Sequence, residues 1–299
     1  GKPGLWRIVG EFGTTTMRTT SSTAAALLAT AAFAAAVTST AAADLVERGR
    51  YLVDTIAGCG NCHTPMGPNG PDTSRYLAGG FVIEMAPFRA VVPNITSDPA
   101  TGIGAWSDAE IGRAIREGIR PDGSLIGPPM PYPLYHGIAD EDLAAIVAYL
   151  RAVPAVVNET EPSVYRIPLP PAWTAPIATV PAPDPADTVA YGAYLAGPIG
   201  HCVECHTPMG EHGHPDFEHR LGAGGFAFDG PWGTSISANI TPVGLGDWTD
   251  AEIEHAIRDG ISRDGRPLMP PMGFAYYKGI SDSDMTALIA YLRSLPPQG

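Results

Sequence analysis

Charge is scarce in this chain: only 16% of its 299 residues are Asp, Glu, Lys or Arg, and 18 basic residues face 31 acidic ones. The resulting net charge of -13 argues against nucleic-acid binding, which needs a basic face to displace condensed counterions. A charged partner would have to offer a basic patch. Cysteine is scarcer still: there are four, with no thiol left outside a repeated motif. No apolar run beyond residue 43 has the roughly 20 residues that a membrane-spanning helix needs. Alternating strand patterns are few. Present in excess are 35 glycines and 31 prolines, which imply a loop-rich chain, while 44% hydrophobic residues are enough for a folded core.

The first 43 residues stand apart. Met17 and Arg18 precede an Ala- and Thr-rich apolar stretch from Ala24 to Val37 and then Ala41, Ala42 and Ala43. A basic start, a short apolar region and small residues at a cleavage position read as a secretory signal peptide, with cleavage after Ala43 and residues 1–16 as an upstream extension, against the alternative that the segment is retained as a membrane anchor. The expected location is periplasmic or exported, with the mature chain soluble or peripherally associated with a membrane complex.

The remainder is an internal duplication. Asn94-Ile95-Thr96 returns as Asn239-Ile240-Thr241, and Trp106-Ser107-Asp108-Ala109-Glu110-Ile111 as Trp248-Thr249-Asp250-Ala251-Glu252-Ile253. Ala114-Ile115-Arg116 returns as Ala256-Ile257-Arg258, and Ala148-Tyr149-Leu150-Arg151 as Ala290-Tyr291-Leu292-Arg293. The expected domains are 44–153 and 186–299, joined by a proline-rich, extended linker over 154–185. Leu143, Ile146, Val147 and Leu150 form a helical stripe, as do Met285, Leu288, Ile289 and Leu292. Ser107 with Glu110, and Thr249 with Glu252, have capping-box spacing for helices that stop at Gly118 and Gly260. A third helix in each half runs from about Leu45 to Ile56 and from about Thr188 to Leu195.

All four cysteines lie in Cys59-Gly60-Asn61-Cys62-His63 and Cys202-Val203-Glu204-Cys205-His206. C-x-x-C-H is the spacing of c-type haem attachment: two thiols on one turn meet the two vinyl groups, and the next residue presents imidazole to the iron. A disulfide within each pair would leave the following histidine coincidental twice. A zinc site shared by all four cysteines would break the self-similarity of the halves, and a thioredoxin-like redox pair wants an α/β context. Each half also carries a methionine after Pro-Pro, Met130 in GSLIGPPMPYPLY and Met272 in GRPLMPPMGFAYY, at matched positions. These are the candidates for the second axial ligand, against the alternative that they fill core space. Met269 is a rival on the second loop, but its counterpart is Gly127.

CHTP followed by a Gly-rich stretch, then NIT, W-[ST]-D-A-E-I, the Pro-Pro-Met loop and A-Y-L-R, over 44–153 and 186–296, resembles the class I cytochrome c domains of di- and tri-haem subunits of periplasmic alcohol, aldehyde and sugar-acid dehydrogenases. The resemblance implies an all-α fold of two tandem class I cytochrome c-like domains, each wrapped round one covalent haem c. It implies His/Met ligation by His63 with Met130 and by His206 with Met272. Electrons would pass from a dehydrogenase subunit to an oxidase or soluble carrier, with no catalytic residues in this chain. The alcohol-dehydrogenase subunits carry three such motifs and this chain two. The rival expectation is a di-haem enzyme of peroxidase or thiosulfate-oxidising type, opposed by the matched methionines and the lack of a spare cysteine.

Smaller expectations attach to other residues. Gly49 with Tyr51, and Gly192 with Tyr194, resemble positions where the first helix of such a domain crosses the last at Tyr149 or Tyr291. Asn94, Asn239, Trp106 and Trp248 are candidates for hydrogen bonds to haem propionates. His212, His214 and His219 cluster in the second half only and read as a surface loop.

Overall fold

The computed structural model describes residues 41–299 except 69, 212 and 231. The apolar leader from Ala24 to Val37 and His212 lie outside the described residues. Residues Asp44–Gly299 form one compact unit. Among the described residues no helix is long and apolar enough to cross a membrane.

In the first half, helix α1, described over 41–54, turns at Gly58 into the one-turn helix α2 (Gly60–His63). Two hairpins follow, β1 (Met66–Gly67) with β2 (Gly70–Pro71) and β3 (Val82–Met85) with β4 (Phe88–Val91). Helices α3 (Asp108–Glu117), α4 (Tyr132–Tyr135) and α5 (Asp140–Ala152) complete it, and β5 (Val164–Tyr165) lies beyond. The second half follows with α6 (Thr188–Tyr194), α7 (Cys202–Cys205), an isolated bridge between Met209 and Pro215 in place of the first hairpin, hairpin β6 (Ala227–Gly230) and β7 (Gly233–Ile236), the added turn α8 (Pro242–Leu245), α9 (Asp250–Asp259), α10 (Phe274–Tyr277) and α11 (Asp282–Ser294). After α6 the chain widens into a π-helical turn over Leu195–Ile199, where Pro198 cannot donate to a helical ladder.

Helices dominate, but the all-α expectation needs correction, because among the described residues three small antiparallel sheets lie in the loops between them. Their strands are two to four residues long, too short for alternation to register in the sequence. The capping boxes are complete in both halves: Ser107 accepts from the Glu110 amide and Thr249 from the Glu252 amide, and each glutamate accepts from its cap residue's amide. Gly118 and Gly260 end those helices at φ 64 and 66°, the left-handed region that glycine tolerates.

Segment 154–185 is extended and lies along the first half. The Val156 carbonyl accepts from Asn94, β5 adds to the edge of β4, and the Trp173 indole donates to the Ile126 carbonyl at 2.9 Å. Tyr165 covers Gly127, so this strap backs the loop leading to Met130.

The halves share a single buried cluster, in which Leu52, Ile56, Ile138 and Leu150 join Leu195, Ile199, Ile280 and Leu292. Within each half the first helix crosses the last at a glycine. A methyl group at Gly49 would lie 1.9 Å from the Ala145 carbonyl oxygen, and one at Gly192 would lie 1.9 Å from that of Ala287. Gly49→Ala and Gly192→Ala are each expected to destabilise the fold by about 3 kcal/mol through forced separation of the helices. Gly197→Ala, whose methyl group would meet nothing within 4 Å, should cost nothing. Denaturant unfolding of the three variants side by side is the check.

Candidate haem sites

A single helical turn assembles each motif. The His63 amide donates to the Cys59 carbonyl at 2.9 Å and the His206 amide to the Cys202 carbonyl at 3.1 Å, which brings both thiols and the imidazole of each motif onto one turn. The four cysteines are free thiols, and no group of three or more His, Cys, Asp or Glu side chains converges as a metal cluster among the described residues. Burial pushes the thiols of Cys59 and Cys205 up to about 12 and those of Cys62 and Cys202 to about 11, so they remain protonated at neutral pH.

Each ring is then oriented from behind. His63 Nδ1 sits 2.9 Å from the Pro93 carbonyl oxygen and His206 Nδ1 sits 2.7 Å from that of Ala238. A carbonyl only accepts, so Nδ1 carries the proton and the Nε2 lone pair is left for a metal. This tautomer is what an axial imidazole requires, and the donor set fits a haem. Burial lowers His63 to about 4 against the favourable pull of the Pro93 carbonyl, and lowers His206 in the same way. His63 is buried, at 8% exposure, whereas His206 is half-buried.

The carbonyl is held by the glycine-rich loop. The Gly79 amide donates to the His63 carbonyl at 2.7 Å, and Gly79 lies so close to the Pro93–Asn94 peptide that a methyl group would fall 2.4 Å from the Pro93 carbonyl carbon. Gly224 does the same against Ala238. Both glycines have positive φ, 73 and 71°, which a side chain would strain. Thr64 and Thr207, the threonines of CHTP, are buried and accept from the Leu77 and Gly222 amides. Their repetition in the sequence was the signal for this role.

Asn94 and Asn239 are spent on the backbone. The Asn94 carboxamide oxygen accepts from the amide and hydroxyl of Thr96, and its nitrogen donates to the Val156 carbonyl at 2.7 Å; Asn239 repeats this with Thr241 and the Gln298 carbonyl. They clasp the chain after the last helix of each half. Trp106 and Trp248 pack half-buried on the core, and their carbonyls accept from Arg151 and Arg293. Those arginines also reach Asp108 and Asp250, which accounts for the A-Y-L-R repeat as a tie between the last helix and the tryptophan loop.

Met130 and Met272 occupy equivalent half-buried places just before α4 and α10, with the Tyr132 and Phe274 amides donating to their carbonyls. Met269 is 45% exposed. His214 and His219 are both exposed, and His219 pairs with Asp216 at 3.1 Å, so no joint site forms from them.

The two motifs lie close to the opposite half. A methyl group at Gly60 would meet the Tyr276 hydroxyl at 2.7 Å, and the Asn61 side-chain Nδ2 donates to the Pro271 carbonyl at 3.3 Å. The ring of Tyr135 packs edge-on against His201, the neighbour of Cys202, with centroids 5.9 Å apart.

Comparison with known proteins finds the same domain twice in this chain. The family model described as cytochrome c matches twice, over residues 46–154 and 189–296. The cytochrome c subunit of the quinone alcohol dehydrogenase of Gluconacetobacter polyoxogenes is 33% identical over 86% of this chain and 57% of its own length. The fructose dehydrogenase cytochrome subunit of Gluconobacter japonicus is 30% identical over 84% of this chain and 52% of its own. A diheme cytochrome c-type protein of Cereibacter sphaeroides is 31% identical over 80% and 82%. The chain therefore spans little more than half the length of the two dehydrogenase subunits.

Gly79→Ala is expected to push the Pro93 carbonyl off His63 and destabilise the first half by about 3 kcal/mol. Loss of the hydrogen-bonded His63 Nδ1–H resonance, with that of His206 retained, is the NMR signature to look for.

Proposed function

The chain belongs to the cytochrome c family, and we propose that it is a di-haem c-type cytochrome that transfers electrons as the partner of an exported dehydrogenase. The observation that supports this reading is the duplicated constellation: two free thiols on one turn, an imidazole with Nδ1 tied to a carbonyl, and a half-buried methionine at the matched place after Pro-Pro. Cys59 and Cys62 would hold one haem c and Cys202 and Cys205 the other, each S–H adding across a vinyl double bond so that sulfur and hydrogen are both retained in the product. His63 and His206 would be the proximal ligands, Met130 and Met272 the distal ones.

Bound there, haem supplies a one-electron iron couple, whose potential a thioether ligand raises relative to harder donors. The chain's own work is positional. The carbonyls of Pro93 and Ala238 keep each imidazole in its ligating tautomer, and Leu52, Leu77, Ile103 and Ile111 with Leu195, Ile253 and Leu288 belong to the one buried core that both halves share. A histidine and a methionine on each iron would leave no open position for peroxide, so the carrier reading is preferred over an enzyme.

The relatives named as cytochrome subunits of alcohol and fructose dehydrogenases support a dehydrogenase as electron donor. An oxidase or soluble carrier would accept the electrons, docking through a basic patch that complements the acidic chain. The domains would be 44–153 and 186–299, and the leader ending at Ala43 would direct export.

Haem content is expected at two per chain, falling to one in the Cys59→Ala/Cys62→Ala variant. Met130→Ala and Met272→Ala should each remove about half of the weak sulfur-to-iron absorption at the red end of the ferric spectrum. Absence of that band from the unmodified protein, or ready carbon monoxide binding at both irons, would sink the assignment.

A further inference from the structure

The first helix of each half places a tyrosine hydroxyl at the N-terminus of the other half's last helix. Tyr194 of the second half donates to Asp142 Oδ2 at 2.7 Å and accepts from the Ala139 amide at 3.1 Å. Tyr51 of the first half donates to Asp284 Oδ2 at 2.7 Å and accepts from the Ser281 amide at 3.0 Å. Ala139 and Ser281 are the N-cap residues of α5 and α11, and Asp142 and Asp284 stand three positions into those helices. Both carboxylates are buried, at 3% and 6% exposure. In each helix the phenol from the opposite half accepts from the N-cap residue's own amide, a donor outside the helical ladder, whether or not that residue also caps the helix with its side chain as Ser281 does.

Steric contacts repeat the same exchange. A methyl group at Gly137 would fall 2.7 Å from Pro198 Cγ, and one at Gly279 would fall 2.8 Å from Thr55 Cγ2. Thr55 and Pro198 lie on the chain between the crossing tyrosine and the first motif cysteine of their respective halves. The contact is thus reciprocal, and it is built from the segments that lead into Cys59 and Cys202. One further anchor is unique to the first half, where Arg48 grips both oxygens of Asp142 at 2.8 and 3.1 Å.

We propose that Tyr51 with Asp284 and Tyr194 with Asp142 form a reciprocal clasp that positions the two haem-attachment motifs against each other, so that electron exchange between the halves depends on it. These are positioning residues, since their hydrogen bonds go to the ends of α5 and α11 and not to the cysteines or the ligating side chains. The consequence for electron exchange rests on the di-haem reading above; the clasp itself does not.

The test uses the haem-loaded protein and the variants Tyr51→Phe, Tyr194→Phe and both together, which keep the rings. Amide hydrogen exchange at Ala139 should accelerate about tenfold or more in Tyr194→Phe, and at Ser281 in Tyr51→Phe. After flash reduction of one haem, equilibration with the other should slow about tenfold in the double variant, with the visible spectrum and both midpoint potentials unchanged. Thr249→Ala, which removes the cap of α9 within the second half, serves as a comparably destabilised control and should retain both the protection and the rate. Unchanged amide protection overturns the clasp, and lost protection with an unchanged rate overturns its positioning role. An unmodified protein without two haems would overturn the di-haem reading while leaving the amide result to stand.

Discussion

A backbone carbonyl facing an imidazole Nδ1 is the contact from which each half is organised. For Pro93 to reach His63 at 2.9 Å, the glycine-rich loop must press against the Pro93–Asn94 peptide, which a side chain on Gly79 would forbid. The next residue, Asn94, then spends its carboxamide on Thr96 and on the Val156 carbonyl, and so ties the loop to the chain leaving the last helix. The same sequence of contacts runs from His206 through Ala238 and Asn239 to Gln298. Orientation of one ring therefore requires most of the loop structure of its half, which explains why so many glycines and short polar residues recur in register.

A second constraint joins ring orientation to helix packing. The crossing of α1 on α5 and of α6 on α11 is closer than any side chain permits, and it sets the direction in which each first helix delivers its motif. The halves then bury one common core rather than two, so they behave as a single folded object. Their environments nonetheless differ. The strap of Tyr165 and Trp173 covers the first Pro-Pro-Met loop, while on the second Met269 is exposed and Lys278 replaces the buried ring nitrogen of His136. Two copies of one design have thus acquired different solvent access, and solvent access is one of the quantities that sets a haem potential.

Much of this was legible in the sequence, for reasons of locality. C-x-x-C-H reads out because attachment chemistry needs its residues on one turn, and the capping boxes read out because a helix end is satisfied by residues three positions apart. The glycine crossings at Gly49 and Gly192 were legible only through resemblance. Asn94 and Asn239 looked like cofactor contacts because polar residues repeated in a cofactor domain invite that reading; their hydrogen-bonding capacity is instead consumed by backbone far along the chain. The hairpins escaped notice because strands of two to four residues carry no period.

The sequence by itself determined the duplication, the attachment turns, the helix ends and the apolar stripes, since each depends on residues within a few positions of one another. Tertiary structure alone decided that Tyr51 meets Asp284, that Tyr194 meets Asp142, and that a proline-rich stretch lies along the first half rather than free of it. Those pairings depend on how two packed faces settle against each other, and local periodicity specifies a face without naming its partner.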